Sequence, residues 1–153
     1  MYGEALEAFA AEARDDLGVL LTAASHSVMG EILARLADRG HAELSMARIA
    51  VFSGLEASGT NIRTLAERAG LTRQAMSALV REVEALGYVT TRPDPADGRA
   101  VLVELTAAGA GFCLDAAAVS HEVTAERGAA LAAGELDTLR GWLRMLAAPP
   151  AAP

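Results

Sequence analysis

Apolar residues recur at three- and four-residue steps over residues 4–39: Leu6, Phe9, Ala13, Leu17, Leu20, Leu21, Ala24, Val28, Ile32 and Leu36. That is the helical period, and it predicts one long N-terminal helix. Gly18 and Gly30 are weak points within it, and Gly40 is its stop. Ser45 caps a second helix of about ten residues that carries Ile49 and Phe52, and residues 56–60 (EASGT) read as a turn. Asn61 caps a short helix, Ile62 to Ala69, with Leu65 and Ala66 inward, and Gly70 breaks the chain. Thr72 caps a further helix to Leu86, with Leu71 placed to pack on Met76 and Gly87 at the left-handed position after its end.

The period then changes from helical to extended. Tyr88 to Arg92 and Val101 to Leu105 are rich in β-formers, and residues 93–98 (PDPADG) between them are turn formers, so a β-hairpin is predicted. Thr106 caps another helix reaching about residue 127. A last one runs from about Gly134 to Leu146, with Leu136, Leu139, Trp142, Leu143 and Leu146 on one side. The fold class is therefore mainly α with a small β-wing: a winged helix-turn-helix over about residues 44–105, flanked by helical segments at about 4–39 and 106–147.

Composition narrows the function. The 153 residues suit a single domain. Aromatics make up only 4%, so Leu, Val, Ile, Met and Ala must build the core. All 13 basic residues are arginine, which makes every cation a forked guanidinium suited to phosphate and to guanine. The net charge of −7 argues against a DNA binder until its distribution is read. Residues 61–99 hold six arginines against five acids, a net of +1, whereas the remainder is −8. Binding depends on the field at the contact face rather than on the total.

The N-terminus lacks a basic stretch followed by an apolar one, so no signal peptide is expected. No apolar run approaches the roughly 18 residues of a membrane span. A cytoplasmic location without membrane contact is expected. A lone cysteine, Cys113, forms no intramolecular disulfide and is expected to be buried and inert. His26, His41 and His121 are too scattered to suggest a metal site, and no nucleophile elbow, phosphate loop or nucleotide fingerprint is present, so neither cofactor nor enzymatic activity is indicated.

The helix 72–86 carries the candidate chemistry. Met76, Leu79, Val80, Val83 and Leu86 fall on one side, and Arg73, Gln74, Ser77 and Arg81 on the other. Arginine grips guanine, glutamine pairs with adenine and serine contacts bases or phosphates. An ordinary solvated helix face shows the same pattern, so the face alone does not decide the matter. Arg92 and Arg99 bracket the hairpin loop, where a tip entering a minor groove needs cations. Asp97 is placed to hold Arg99 by an ion pair.

Three stretches resemble the MarR family of transcriptional regulators: residues 71–77 (LTRQAMS), 83–89 (VEALGYV) and 92–109 (RPDPADGRAVLVELTAAG). Residues 65–70 resemble the family's preceding helix. The family's wing pattern falls on Asp97, Arg99, Leu105, Thr106 and Gly109, with Gly98 standing where a second arginine is usual. The resemblance implies a homodimer built from the N-terminal and last two helices, which binds a pseudo-palindromic operator on double-stranded DNA. It also implies a repressor, released by a small aromatic or phenolic ligand held between the dimer base and the DNA-reading lobe. A second class, a dimeric helical interaction module that kept the winged fold without binding DNA, is motivated by the acidic balance and by Gly98.

Overall fold

The computed structural model describes residues 2–95 and 100–148. Seven helices and three short strands follow in the order α1 (Tyr2–Ala13), α2 (Leu17–Leu36), α3 (Met46–Ile49), β1 (Thr60–Asn61), α4 (Ile62–Ala69), α5 (Arg73–Ala85), β2 (Val89–Pro93), β3 (Val101–Leu105), α6 (Ala107–Gly128) and α7 (Glu135–Ala147). It is the mainly helical winged helix-turn-helix that the period of the sequence predicts.

Side-chain caps start most of these helices. Asp16, Ser45, Asn61, Thr72 and Thr106 each accept a hydrogen bond from the backbone N–H three residues on. Asp16 corrects the expectation of one N-terminal helix over residues 4–39. The chain breaks at residues 14–16 and restarts on the Asp16 carboxylate, whose Oδ1 takes the Val19 N–H at 2.9 Å. A π-helical turn, Ala37–His41, follows α2, and Gly40 within it turns the chain with φ of 97°. The helix expected after Ser45 is four residues long rather than ten. It gives way to a 3-10 turn, Phe52–Gly54, with the Ser53 hydroxyl donating to the Ala50 carbonyl at 2.9 Å.

The sheet has the order β1-β3-β2, antiparallel throughout. Val89 faces Leu105 and Pro93 faces Val101 in the wing hairpin. β1 lies in part of the expected 56–60 turn and pairs Thr60 with Val103. One core holds the lobe together: Leu36, Leu44, Val51, Leu65, Met76, Val80, Val83, Val89, Val103 and Phe112 are all buried. Through it α5 packs against α3, α4 and β2, so the outward face of α5 has a fixed direction.

An ion-pair ladder ties α2 and its π-helical turn to α6. Arg127 pairs with Glu31 at 2.7 Å, Arg35 with Glu31 and Glu126, and Arg39 with Glu122 at 2.8 Å and Asp115 at 3.3 Å. His41 continues it. Its Nε2 lies 3.2 Å from Asp115 and its Nδ1 2.9 Å from the Tyr88 hydroxyl, which a neutral ring protonated on Nε2 satisfies on both sides. The ladder thus pairs four carboxylates, Glu31, Asp115, Glu122 and Glu126, away from the helix-turn-helix.

The Arg127 hydrogen bond holds Glu31 below its ordinary 4.5. The His41 hydrogen bond does the same for Asp115, and the Arg35 hydrogen bond for Glu126. A carboxylate whose folded pKa is depressed stabilises the fold above its unfolded value, and that support is lost as pH falls through the folded value. The ladder is therefore expected to stabilise fully at neutral pH and to fail below about pH 4. Thermal melts at pH 7 and pH 3.5 check this: the midpoint should drop in acid, and Glu126→Gln should narrow the difference. An equal midpoint at both pH values would remove the ladder from the stability of the fold.

Candidate nucleic-acid interface

The helix-turn-helix is α4, a three-residue turn and α5. Gly70 ends α4 in the left-handed conformation, φ 64°, and the Leu71 N–H closes the turn onto the Ala66 carbonyl at 2.9 Å. Thr72 then caps α5, its hydroxyl accepting from the Ala75 N–H at 3.1 Å. The apolar side of α5 is anchored by the buried Met76, Val80 and Val83, with Leu79 half-buried. Arg73, Gln74 and Arg81 are exposed and Ser77 is half-buried, so the predicted reading face is brought together on the surface.

The arginines of this lobe divide into two sets. Arg48 bonds to Glu82 at 2.9 Å and to the Glu43 carbonyl. Arg68 holds the Gly54 carbonyl at 2.7 Å and pairs with Glu56. These two brace the scaffold. Among the described residues neither Arg73 nor Arg81 makes an ion pair. A guanidinium held on a rigid helix without an internal partner is available to an external acceptor.

The wing is partly visible. The Asp94 N–H closes its base onto the Ala100 carbonyl at 3.0 Å. Arg92, predicted as a wing cation, has its Nε on Glu104 at 2.8 Å and its Nη2 3.4 Å from the Ser58 carbonyl, so it braces the sheet. Asp97 and Arg99, the expected wing-tip pair, lie outside the described residues, as does Gly98.

Between α4, α5 and the wing lies a cleft of about 360 Å³, lined by Asn61, Ile62, Arg63, Arg73, Asp94, Ala100 and Val101. Sequence reading had no role for Arg63 or for the cleft wall at Asn61. The signal was faint: Arg63 stands on the polar side of a short helix, where any arginine is unremarkable.

Cys113 is half-buried and burial raises its thiol pKa, which keeps it protonated and unreactive at neutral pH. Among the described residues no three His, Cys, Asp or Glu side chains gather as a metal site.

Residues 44–100, the helix-turn-helix and wing, match the family model of the MarR family. Over that segment, the sequence is similar to the MarR family. No curated protein matches the sequence. Among solved structures, a MarR-family transcriptional regulator from Rhodococcus sp. RHA1 is 26% identical, with 87% of this chain and 93% of that one covered at a TM-score of 0.71. CouR from Rhodococcus jostii RHA1, bound to p-coumaroyl-CoA, is also 26% identical, with 92% and 98% covered at 0.72. A mutant MarR from E.coli complexed with operator DNA shares the fold at 21% identity, with 90% and 97% covered at 0.75. The MarR fold thus extends well beyond the matched segment, into the flanking helices.

Proposed function

We propose that the protein is a sequence-specific DNA-binding transcriptional regulator. It acts in the cytoplasm as a homodimer on a pseudo-palindromic operator, represses, and is released by a small aromatic or phenolic ligand. The observation that carries the DNA-binding part is the outward face of α5, where Arg73 and Arg81, without ion pairs among the described residues, flank Gln74 and Ser77. A helix of this kind lies in the major groove, and two copies one DNA turn apart, about 34–36 Å, require a palindromic site.

Similarity to the MarR family over residues 44–100 supports regulation, and the binding of p-coumaroyl-CoA by CouR supports an aromatic effector. Phe52, Tyr88, Phe112 and His41 cluster at the junction of the helical base and the reading lobe, with ring centroids 4.5–6.3 Å apart. Tyr88 and Phe112 are buried in this packing, so a planar ligand entering there would replace ring–ring contacts with stacking of its own.

Selection of bound duplexes from a random pool tests the proposal directly. The expected product is an inverted repeat with half-sites one turn apart. A pool that never enriches would overturn DNA binding and leave the interaction-module reading standing. With a selected duplex in hand, Gln74→Ala is expected to reduce the ratio of specific to non-specific affinity about tenfold or more, since a bidentate base contact is worth roughly 1–3 kcal/mol. An unchanged ratio would remove Gln74 from base reading. Titrating p-coumaroyl-CoA and simple phenolic acids into the complex tests release.

A further inference from the structure

Arg73 does not share the position of Gln74 and Arg81 on α5. With about 100° per residue, Gln74 and Arg81 point in nearly the same direction, and Arg73 lies about 80–100° to one side. On that side it meets the cleft, whose other walls are Asn61 and Arg63 at the start of α4 and Asp94 and Val101 in the wing.

Where a helix occupies a major groove and the adjoining wing reaches a neighbouring minor groove, one sugar–phosphate strand has to pass between them. The cleft is the space between those two elements in this protein. Two guanidinium groups line it against one carboxylate, Asp94. Among the described residues Arg63 is tied only to Glu67, one turn along its own helix, and the two side chains are 80% and 62% exposed. A surface pair so exposed is worth little and is readily exchanged for a phosphate, whose oxygens accept both prongs of the fork.

We propose that this cleft seats a backbone phosphate of the DNA strand separating the two grooves, with Arg63 and Arg73 gripping it from α4 and α5. The inference rests on the DNA-binding reading and deepens it. It moves Arg73 from base reading to backbone positioning and gives Arg63 a function. Phosphate contacts fix the register of the protein on the duplex without carrying sequence information, so the two arginines place Gln74, Ser77 and Arg81 over their bases.

The test is the salt dependence of binding by Arg63→Gln, measured on a duplex selected from a random pool and on a scrambled duplex of equal length. Each phosphate contact contributes about 0.9 to the slope of log affinity against log salt, and a homodimer carries two clefts. The slope is therefore expected to become shallower by about two on both duplexes, with the ratio of the two affinities kept. Arg63→Lys should restore most of the slope, because it keeps the charge. Circular dichroism and molar mass of each variant should match the wild type, since Arg63 supports no buried contact. A wild-type slope in Arg63→Gln would overturn the cleft assignment and leave DNA binding intact. A lost affinity ratio with an unchanged slope would also overturn it, by making Arg63 a base reader. Absence of binding by the wild type itself, on either duplex, would overturn the cleft and the DNA-binding reading together.

Discussion

Gly109→Ala is expected to destabilise the fold by roughly 1–3 kcal/mol or more, a fall in thermal midpoint of several degrees, because it overpacks a rigid contact. A Cβ at this position would stand 2.0 Å from the Tyr88 carbonyl oxygen and 3.0 Å from Leu105 Cδ2. The obstacle is backbone and cannot rotate away. The Tyr88 carbonyl is also held in place by the Thr106 N–H at 3.1 Å, and the Thr106 hydroxyl lies 2.6 Å from the Gly87 carbonyl. Glycine is needed here for space, not for a special dihedral, since Gly109 lies in the first turn of α6 with ordinary helical geometry. The contact seats α6 against the start of β2 and so fixes the helical base relative to the wing. Gly111→Ala is the matched control. Nothing lies within 4 Å of its Cβ position, so the change should be neutral or slightly stabilising, as alanine is the better helix former. Melts of the two variants check the order, and equal stability would mean that α6 does not close on Tyr88.

What the sequence disclosed follows the range of the interactions involved. Ser45, Asn61, Thr72 and Thr106 were readable as caps because each bonds three residues away, within its own helix. The hairpin was readable from its β-formers and turn residues. The break at residues 14–16 was hidden by the apolar pattern itself. Ala13 and Leu17 are four apart, so the helical step runs on across Asp15 and Asp16 although the backbone does not. β1 was out of reach for a different reason. Two residues have no strand signature, and Thr60 and Asn61 join the sheet because β3, some forty residues on, pairs with them. The site shows the same division. The reading face of α5 follows from periodicity within one helix. The cleft requires α4, α5 and the wing to be side by side, and the internal pairing of Arg92 requires Glu104 to be its neighbour across the sheet.

The double variant Trp142→Glu with Leu146→Glu is expected to yield monomers and to weaken binding to a selected operator by about 10²–10⁴-fold, the advantage that joining two binding modules confers. Thirteen of the eighteen exposed large hydrophobic residues lie at positions 2–21 and 131–146, and neither α1 nor α7 buries a single residue in the lone chain. Burying a large apolar side chain is worth about 1.5–3 kcal/mol, so a surface of this extent calls for a cover. The sequence reading found no run fit for a membrane. However, α2 and the π-helical turn together span Leu17–His41, which contains an 18-residue window of mean hydropathy 1.4 and passes for a membrane helix by length and composition. Its charges argue for a protein partner. Glu31 stands near the middle, where a charged group in lipid costs on the order of 3 kcal/mol, and Arg35, Asp38 and Arg39 follow within two turns. Glu31, Arg35 and Arg39 pair with α6, while the N-terminal half of α2 leaves an apolar surface of Leu17, Val19, Leu20 and Leu21 bare. Such a face fits a second copy of the chain, whose α1 and α7 expose the same kind of surface. Sedimentation should give twice the chain mass for the wild type and a thermal midpoint that rises with protein concentration. The double variant should show the mass of one chain, with α5 intact and half-site binding retained at low salt. A wild-type monomer that partitions into lipid vesicles would assign the apolar face to a membrane instead, and a double variant that stays dimeric would move the interface away from α7.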